Sequence, residues 1–254
     1  MNNQTARHIG ITIVSVGFVL MICFAAWRIL RPHELHVDVD RRLYPIAGID
    51  LSAHNGVPDF DSIASAGIDF VYLKASEGVS FRDASFLRNY SQTRKYGLTV
   101  GAYHFFRFDC DGRGQAFNLM KAIEGCRLDM PLVIDIEEAG NPANHSTELI
   151  ISRLETMVSY LKAYGYPVMI YTNKNGYTRF IKPAYEQTDS ETGSGTELWI
   201  CSFTNPPLPH RQWSMWQHSH KARVPGVKGN VDMNTFNGDR SAWFSWLHSF
   251  RTAQ

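Results

Sequence analysis

Two hydrophobic patterns divide the chain. Residues 9–27 carry no charged side chain, and about 20 apolar residues in a row suffice for a helix to cross a bilayer. From residue 46 onward, short apolar runs alternate with amphipathic stretches instead. The pattern therefore predicts an N-terminal membrane segment followed by a globular domain.

The apolar runs of the second part have the length of β-strands, at residues 46–52, 68–76, 98–106, 131–137, 167–172, 197–203, 213–219 and 230–236. Amphipathic stretches typical of helices separate the early runs, at residues 59–66, 83–96, 114–123 and 147–164. Near-continuous apolar strands between helices are typical of a parallel sheet covered on both faces.

The number of runs favours an α/β fold, an irregular (β/α)8-type barrel. Its last strands are too close in sequence for full helices between them, so we expect reduced helices there. A doubly wound open sheet is the alternative, but no glycine-rich phosphate loop follows the first run.

These patterns predict four segments: a tail at 1–8, a transmembrane anchor or signal-anchor at 9–30, a stalk at 31–45 and the barrel at 46–250. The apolar cores of signal peptides usually run about 7–15 residues, so the length of the uncharged stretch at 9–27 favours an uncleaved anchor. The sequence Phe24-Ala25-Ala26 is a poor signal-peptidase site, and cleavage stays open. Arg7 on one side and Arg28 and Arg31 on the other leave the orientation undecided.

Composition narrows the function classes. The chain has 25 Lys and Arg against 24 Asp and Glu, a net charge of +1, which gives no electrostatic footprint for nucleic acid. No metal-binding spacing and no nucleophile motif occurs, so we expect no metal and no cofactor. We expect a monomer. In an oxidising compartment, Cys110 and Cys126 are candidates for a disulfide, whereas Cys201 in a predicted strand is expected to stay a free thiol.

Carboxylates interrupt three of the predicted strands, although Asp is disfavoured in strands and costly inside apolar runs. Asp50 ends the first run, Asp135 and Glu137 end the fourth, and Asp232 lies in the last. Asp135 and Glu137 are two residues apart, so on a strand both side chains point to one face with Cβ atoms about 6–7 Å apart, while Glu138 points to the other face. Carboxyl groups at such a separation cooperate across a glycosidic bond.

Aromatic and amide side chains occupy equivalent positions on the other runs. Sugar rings have flat apolar faces edged by hydroxyls, which suit aromatic walls with polar tips. The candidate substrate-binding residues are Tyr72, Tyr103, His104, Tyr171, Trp199 and Gln217.

Seven short motifs in a fixed order make residues 46–240 resemble glycoside hydrolase family 25, the Chalaropsis-type lysozymes or N-acetylmuramidases. They are GIDLSAHNG (48–56), FVYLKASEG (70–78), GAYHFF (101–106), DIEE (135–138), LWI (198–200), WQHS (216–219) and VDMNTF (231–236). The resemblance implies a β/α barrel that hydrolyses the β-1,4 bond between N-acetylmuramic acid and N-acetylglucosamine in peptidoglycan. It places the family's acidic pair on Asp135 and Glu137, with Glu137 as general acid, and the first- and last-strand aspartates on Asp50 and Asp232.

The membrane segment and the lack of wall-binding repeats suit a membrane-tethered enzyme that remodels the wall. The expected location is the bacterial cell envelope, as a single-pass membrane protein with the catalytic domain on the wall side. An inactive peptidoglycan-binding module of an envelope complex is the alternative. A chitinase-like hydrolase would have further aspartates before Asp135, where this chain has Leu132, Val133 and Ile134.

Overall fold

The computed structural model describes residues 21–22, 36–185, 196–205, 207 and 213–251. Contacts divide the chain into two units, Met1–Glu34 and Leu35–Gln254. Of the first unit only Met21 and Ile22 are described, and both are helical and exposed. The remainder of the predicted anchor at 9–30 therefore lies outside the described residues. Among those that are described, no helix has the length and apolar character to cross a membrane.

Among the described residues, nine strands form one sheet: β1 Ala47–Leu51, β2 Phe70–Glu77, β3 Phe81–Arg82, β4 Thr99–Phe105, β5 Leu132–Asp135, β6 Val168–Asn173, β7 Glu197–Cys201, β8 Met215–Ala222 and β9 Val231–Phe236. Their order is β1-β9-β8-β7-β6-β5-β4-β2-β3, and β1 also pairs with β2, which closes the sheet into a barrel. The two-residue β3 lies outside the ring as a hairpin on β2. The predicted barrel is confirmed, and closure excludes the open sheet.

Within the ring, β9 departs from the expected parallel arrangement. β9 runs antiparallel to both neighbours, β8 and β1. The reason is the short connection at residues 223–230, since a parallel crossover needs a dozen or more residues whereas an antiparallel return does not. The first residues of β9 consequently lie at the end of the barrel where the other ring strands finish.

Helices cover the outside of the barrel: α1 Phe60–Ser65, α2 Phe86–Lys95, α3 Gly112–Ala122, α4 Thr147–Ala163, α5 Lys174–Gly176, α6 Lys182–Tyr185 and α7 Arg240–Arg251. A π-helical turn, Tyr177–Ile181, joins α5 to α6. Side-chain oxygens of Asp59, Asp111 and Ser146 accept from backbone N–H groups at the starts of α1, α3 and α4, as N-caps do. No helix lies among the described residues from β7 to β9, as the spacing of the last strands predicts. Between β6 and β7 the described residues form the short helices α5 and α6 and the π-helical turn.

Two hydrophobic cores hold the fold together. The larger lies between the strands and the surrounding helices, and the smaller fills the barrel. Inside the barrel, large aromatic rings pack directly against glycines on neighbouring strands. At Gly101, for example, a Cβ atom would lie only 2.2 Å from the Tyr72 ring, so a larger residue does not fit there. Trp243 of α7 packs on Phe70 and Phe236 with ring centroids 5.4 and 5.1 Å apart. α7, which the sequence patterns did not predict, thus packs against this inner core.

The predicted disulfide does not form. Cys110 and Cys126 are free thiols on opposite ends of α3. An α-helix of 11 residues is roughly 16 Å long, whereas a disulfide needs Cα atoms within about 7 Å. Cys201 is a free buried thiol, as expected.

Candidate active site

A cavity of about 300 Å³ opens at the barrel end where the parallel strands finish and β9 begins. Every ring strand contributes to its wall. The lining residues are Asp50, Lys74, Tyr103, Phe105, Val133, Asp135, Glu137, Tyr171, Trp199, Gln217, His220 and Asp232. The four carboxylates that the sequence singles out therefore meet in one cavity.

Asp135 and Glu137 share a wall of this cavity, as strand alternation predicts. Burial and the neighbouring Glu137 raise the pKa of Asp135 well above its usual value, and burial and Asp50 raise the pKa of Glu137. The Oδ1 atom of Asp135 is buried without a hydrogen-bond partner among the described residues. An orphaned buried acceptor is costly, so this atom is poised to receive a donor from a ligand.

Glu138 points away from the cavity. Its Oε1 accepts a hydrogen bond from Arg179 Nη1 at 2.9 Å, an ion pair on the outer side of the barrel. The two adjacent glutamates thus have different surroundings, in line with the predicted alternation.

Asp50 and Asp232 face each other across the β1–β9 pairing. Burial and the charge of Asp232 raise the pKa of Asp50 to about 7, and burial raises the pKa of Asp232 to about 6 despite a hydrogen bond with Asp50. Two carboxylates this close do not ionise together readily. Near neutral pH the pair therefore holds one proton and one negative charge.

Amide groups fix the position of Asp50. Its Oδ2 accepts hydrogen bonds from Gln217 Nε2 at 3.0 Å and from Asn234 Nδ2 at 2.9 Å. Asn234 is absent from the sequence-based candidates. Its spacing two residues after Asp232 on one strand is the signal that marks it, because both side chains then share a face.

Four of the six predicted substrate-binding residues line the cavity: Tyr103, Tyr171, Trp199 and Gln217. His104 does not, because it follows Tyr103 on β4 and faces the opposite side of the sheet. It is fully buried there, with Nδ1 2.8 Å from Ser76 Oγ and Nε2 3.1 Å from Gln115 Oε1. Burial lowers its pKa to about 4, so it is a neutral core histidine.

Tyr72 does not line the cavity either. It is fully buried inside the barrel, where its hydroxyl donates to the Pro131 carbonyl at 3.2 Å. Its ring centroid lies 4.9 Å from that of Trp199. Tyr72 thus belongs to the packed interior, and the expectation that it contacts substrate is corrected.

The sequence did not predict four further residues that line the cavity: Lys74, Phe105, Val133 and His220. The Lys74 ammonium lies 2.8 Å from Glu77 Oε2 and 5.2 Å from the centroid of the Phe105 ring. A lysine inside the apolar run of β2 is the signal that would have found it, since a buried charge needs a partner. His220 Nδ1 lies 3.9 Å from Asp232 Oδ1.

The cavity holds carboxylates on several walls. Among the residues described here, no group of three His, Cys, Asp or Glu side chains is arranged to bind a metal ion. The carboxyl groups of the cavity are able to transfer protons and to stabilise positive charge.

Comparison with known proteins connects this site to a family. The sequence model of the glycosyl hydrolases family 25 matches residues 49–227. The autolytic lysozyme of Clostridium acetobutylicum is 29% identical over 191 residues, 75% of this chain and 55% of that protein. Lysozyme M1 of Streptomyces globisporus is 31% identical over 203 residues, 76% of this chain and 68% of that protein. A solved family 25 glycosyl hydrolase from Bacillus anthracis superposes with a TM-score of 0.73 and 31% identity, over 84% of this chain and 98% of that one.

Proposed function

Because this chain belongs to glycosyl hydrolases family 25, we propose that it is a muramidase. Its substrate would be the β-1,4 bond between N-acetylmuramic acid and N-acetylglucosamine in peptidoglycan. The observation that carries this proposal is the meeting of Asp135 and Glu137 with the Asp50–Asp232 pair in one open cavity. The lysozyme names of two similar proteins add support, although this chain spans only about half the length of the autolytic lysozyme.

Glu137 is the proposed general acid. It lies on the cavity wall, and burial together with the charge of Asp50 raises its pKa, which favours the protonated form of Glu137 more than that of an ordinary glutamate. The proton would pass from Glu137 to the glycosidic oxygen as the bond to the sugar carbon breaks. Water supplies the hydroxyl of the new reducing end and returns a proton.

Asp135 is proposed to act beside the reacting carbon. Burial favours its neutral form in the free protein, while its Oδ1 atom lacks a partner. A donor from the substrate, such as the N–H of the 2-acetamido group, would satisfy Oδ1 and favour the carboxylate. The resulting charge would stabilise the oxocarbenium-like transition state and help to keep Glu137 protonated.

The Asp50–Asp232 pair contributes a second charge on the facing wall. With one proton held between them, the two carboxyl groups present a single negative charge to the cavity near neutral pH. That charge complements a cationic transition state without the cost of two adjacent carboxylates.

The segment at 9–30 is proposed to tether the barrel to a bacterial membrane, with the barrel on the wall side. Support comes from the uncharged stretch at residues 9–27 and from a substrate that lies outside the cytoplasmic membrane. This placement would confine hydrolysis to nearby wall and suits remodelling rather than release of a diffusing lytic enzyme. We propose that the protein acts as a monomer, because the strands of a single barrel already supply the four carboxylates of the cavity.

Digestion of purified peptidoglycan by the full-length protein in detergent tests the proposed activity. The new reducing ends are reduced with borohydride and identified by mass spectrometry. A muramidase yields muramitol, whereas glucosaminitol would overturn the assignment of the bond. Binding to peptidoglycan without new reducing ends would overturn the enzyme and favour the peptidoglycan-binding module.

A further inference from the structure

We propose that Gln217 and Asn234 are positioning residues that form an amide clamp on Oδ2 of Asp50. Tyr171 and Trp199 orient the two amides by donating hydrogen bonds to their oxygen atoms. It determines which oxygen of Asp50 remains a hydrogen-bond acceptor and which one faces Asp232. The catalytic value of the clamp rests on the proposed function, but its effect on Asp50 can be measured without any substrate.

The clamp joins three neighbouring strands. Gln217 on β8 and Asn234 on β9 are register partners, so both side chains point into the barrel side by side. Asp50 on β1 comes next in the sheet, where it pairs with Asp232. The two amide nitrogens lie 3.0 and 2.9 Å from the same Oδ2 atom.

The orientation of the Asn234 amide follows from its other contact. Trp199 Nε1 donates to Asn234 Oδ1 at 3.1 Å. An indole N–H is a donor only, so the oxygen of the amide must face Trp199 and the NH2 group must face Asp50. A flipped amide would place two donors together on one side and two acceptors together on the other.

The Gln217 amide has the corresponding orientation, with its oxygen toward an aromatic donor and its NH2 group toward Asp50. Tyr171 Oη donates to Gln217 Oε1 at 2.7 Å, which leaves the NH2 group for Asp50. Gln217 is 2% exposed and Asn234 is fully buried, so bulk water does not substitute for either partner. Gln217 lines the cavity, yet its oxygen and one N–H are engaged by protein groups. Its main task is therefore to hold Asp50.

Two donors on Oδ2 favour negative charge on that oxygen. A proton shared with Asp232 then resides on Oδ1, where it does not compete with the clamp. Other titratable groups on several strands of the barrel interact electrostatically with Asp50, so that their pKa values and that of Asp50 depend on one another. They are Asp232 on β9, His220 on β8, Tyr103 on β4, Asp135 and Glu137 at the end of β5, Tyr171 on β6 and Cys201 on β7.

A matched pair of hydroxyl deletions isolates the clamp. Tyr171→Phe removes the hydroxyl that orients Gln217, and Tyr72→Phe removes a buried hydroxyl that donates to the Pro131 carbonyl instead. Both changes delete one oxygen atom inside the same barrel. In full-length protein in detergent, 13C-labelled Asp carboxyl signals report the titration of Asp50, assigned by loss of its signal in Asp50→Asn.

In Tyr171→Phe the Gln217 amide is free to turn, the carboxylate of Asp50 loses a fixed donor, and its pKa rises. In Tyr72→Phe the Asp50 titration stays at the wild-type position. Gln217→Met, of similar volume, removes the donor itself and gives the same upward change if Tyr171→Phe does not fold. An unchanged Asp50 titration in the variants of the clamp, or equal changes in Tyr72→Phe, would overturn the proposal.

Hydrolysis of peptidoglycan provides the second readout. Hydrolysis requires the Asp50–Asp232 pair to carry one negative charge. Because Tyr171→Phe raises the pKa of Asp50, that charge forms only at higher pH, and the acidic limb of the pH–rate profile moves upward. On that limb we expect a roughly tenfold loss of rate. A wild-type protein without hydrolytic activity would contradict the proposed function alone. The carboxyl titration would still decide whether the clamp exists.

Discussion

At the scale of single residues, Glu137 and Glu138 differ by the side of the barrel on which each lies. Glu137→Gln keeps size and polarity but removes the transferable proton, so we expect peptidoglycan hydrolysis to fall by about 10²-fold or more. Glu138→Gln instead weakens a partly exposed ion pair with Arg179. Such pairs contribute about 0–1 kcal/mol, so we expect near wild-type rates from this matched control. Rates of reducing-end release by both variants measure the difference, and equal rates would contradict the assignment of Glu137.

Asp50 also makes stability depend on pH. Its folded-state pKa of about 7 lies above the usual value of 3.8, so the folded protein binds more protons than the unfolded one between these values. The contribution of Asp50 to stability is therefore full below about pH 4 and is lost as the pH rises from there through 7. Asp50→Asn keeps an acceptor for the amide clamp, offers a donor to Asp232 and cannot ionise. We therefore expect its melting temperature to exceed that of the wild type by a few degrees at pH 8 and by a smaller amount at pH 5, where only part of the contribution of Asp50 has been lost.

Asp59→Asn is the control for this comparison. Hydrogen bonds, foremost that from Ser62, lower the pKa of Asp59 below 3.8, so this group does not titrate between pH 5 and 8. Its variant should differ from the wild type by the same amount at both pH values, because Asn is also a good N-cap. A difference for Asp50→Asn that does not change with pH would contradict the raised pKa of Asp50.

At the scale of elements, α3 keeps two cysteines apart. Cys110 and Cys126 are half-buried and lie near opposite ends of the helix, while Cys201 is buried in β7. In native protein we expect a thiol reagent to modify Cys110 and Cys126, and to modify Cys201 only after denaturation. Peptide mass spectrometry before and after denaturation measures this order. A crosslinked Cys110–Cys126 peptide under non-reducing conditions would contradict the geometry of α3.

At the scale of the whole molecule, the direction of one strand assembles the site. If β9 ran parallel to its neighbours, Asp232 near its start would lie at the opposite end of the barrel from Asp50. The antiparallel return from β8 places both aspartates in the same cavity. The site therefore depends on the topology of the sheet as well as on the identity of its residues.

The proposed tether leads to a prediction about the intact cell. Full-length protein should remain with the membrane fraction, and protease added to spheroplasts should degrade the barrel, because it faces the wall. Protease added to intact cells of a Gram-negative host is the control, since the outer membrane shields the barrel. Complete protection in spheroplasts would contradict the orientation, and a soluble product beginning near Ala25 or Ala26 would show a cleaved signal.

The sequence by itself determined the barrel and the acidic wall. Apolar runs of strand length predicted the ring strands, since burial on both faces demands continuous apolar residues. The spacing of Asp135 and Glu137 placed both side chains on one face because side chains alternate along an extended chain. Both inferences use only local periodicity, which a sequence carries directly.

Only the tertiary structure decided which polar groups meet. The direction of β9, the hydrogen bonds from Gln217 and Asn234 to Asp50, and the burial of Tyr72 inside the barrel all depend on contacts between residues far apart in sequence. Alternation places Tyr103 and His104 on opposite faces of β4, and only the closed barrel determines that the first lines the cavity and the second packs under α3. Local periodicity assigns residues to alternate faces, but strand pairing and closure determine what each face contacts.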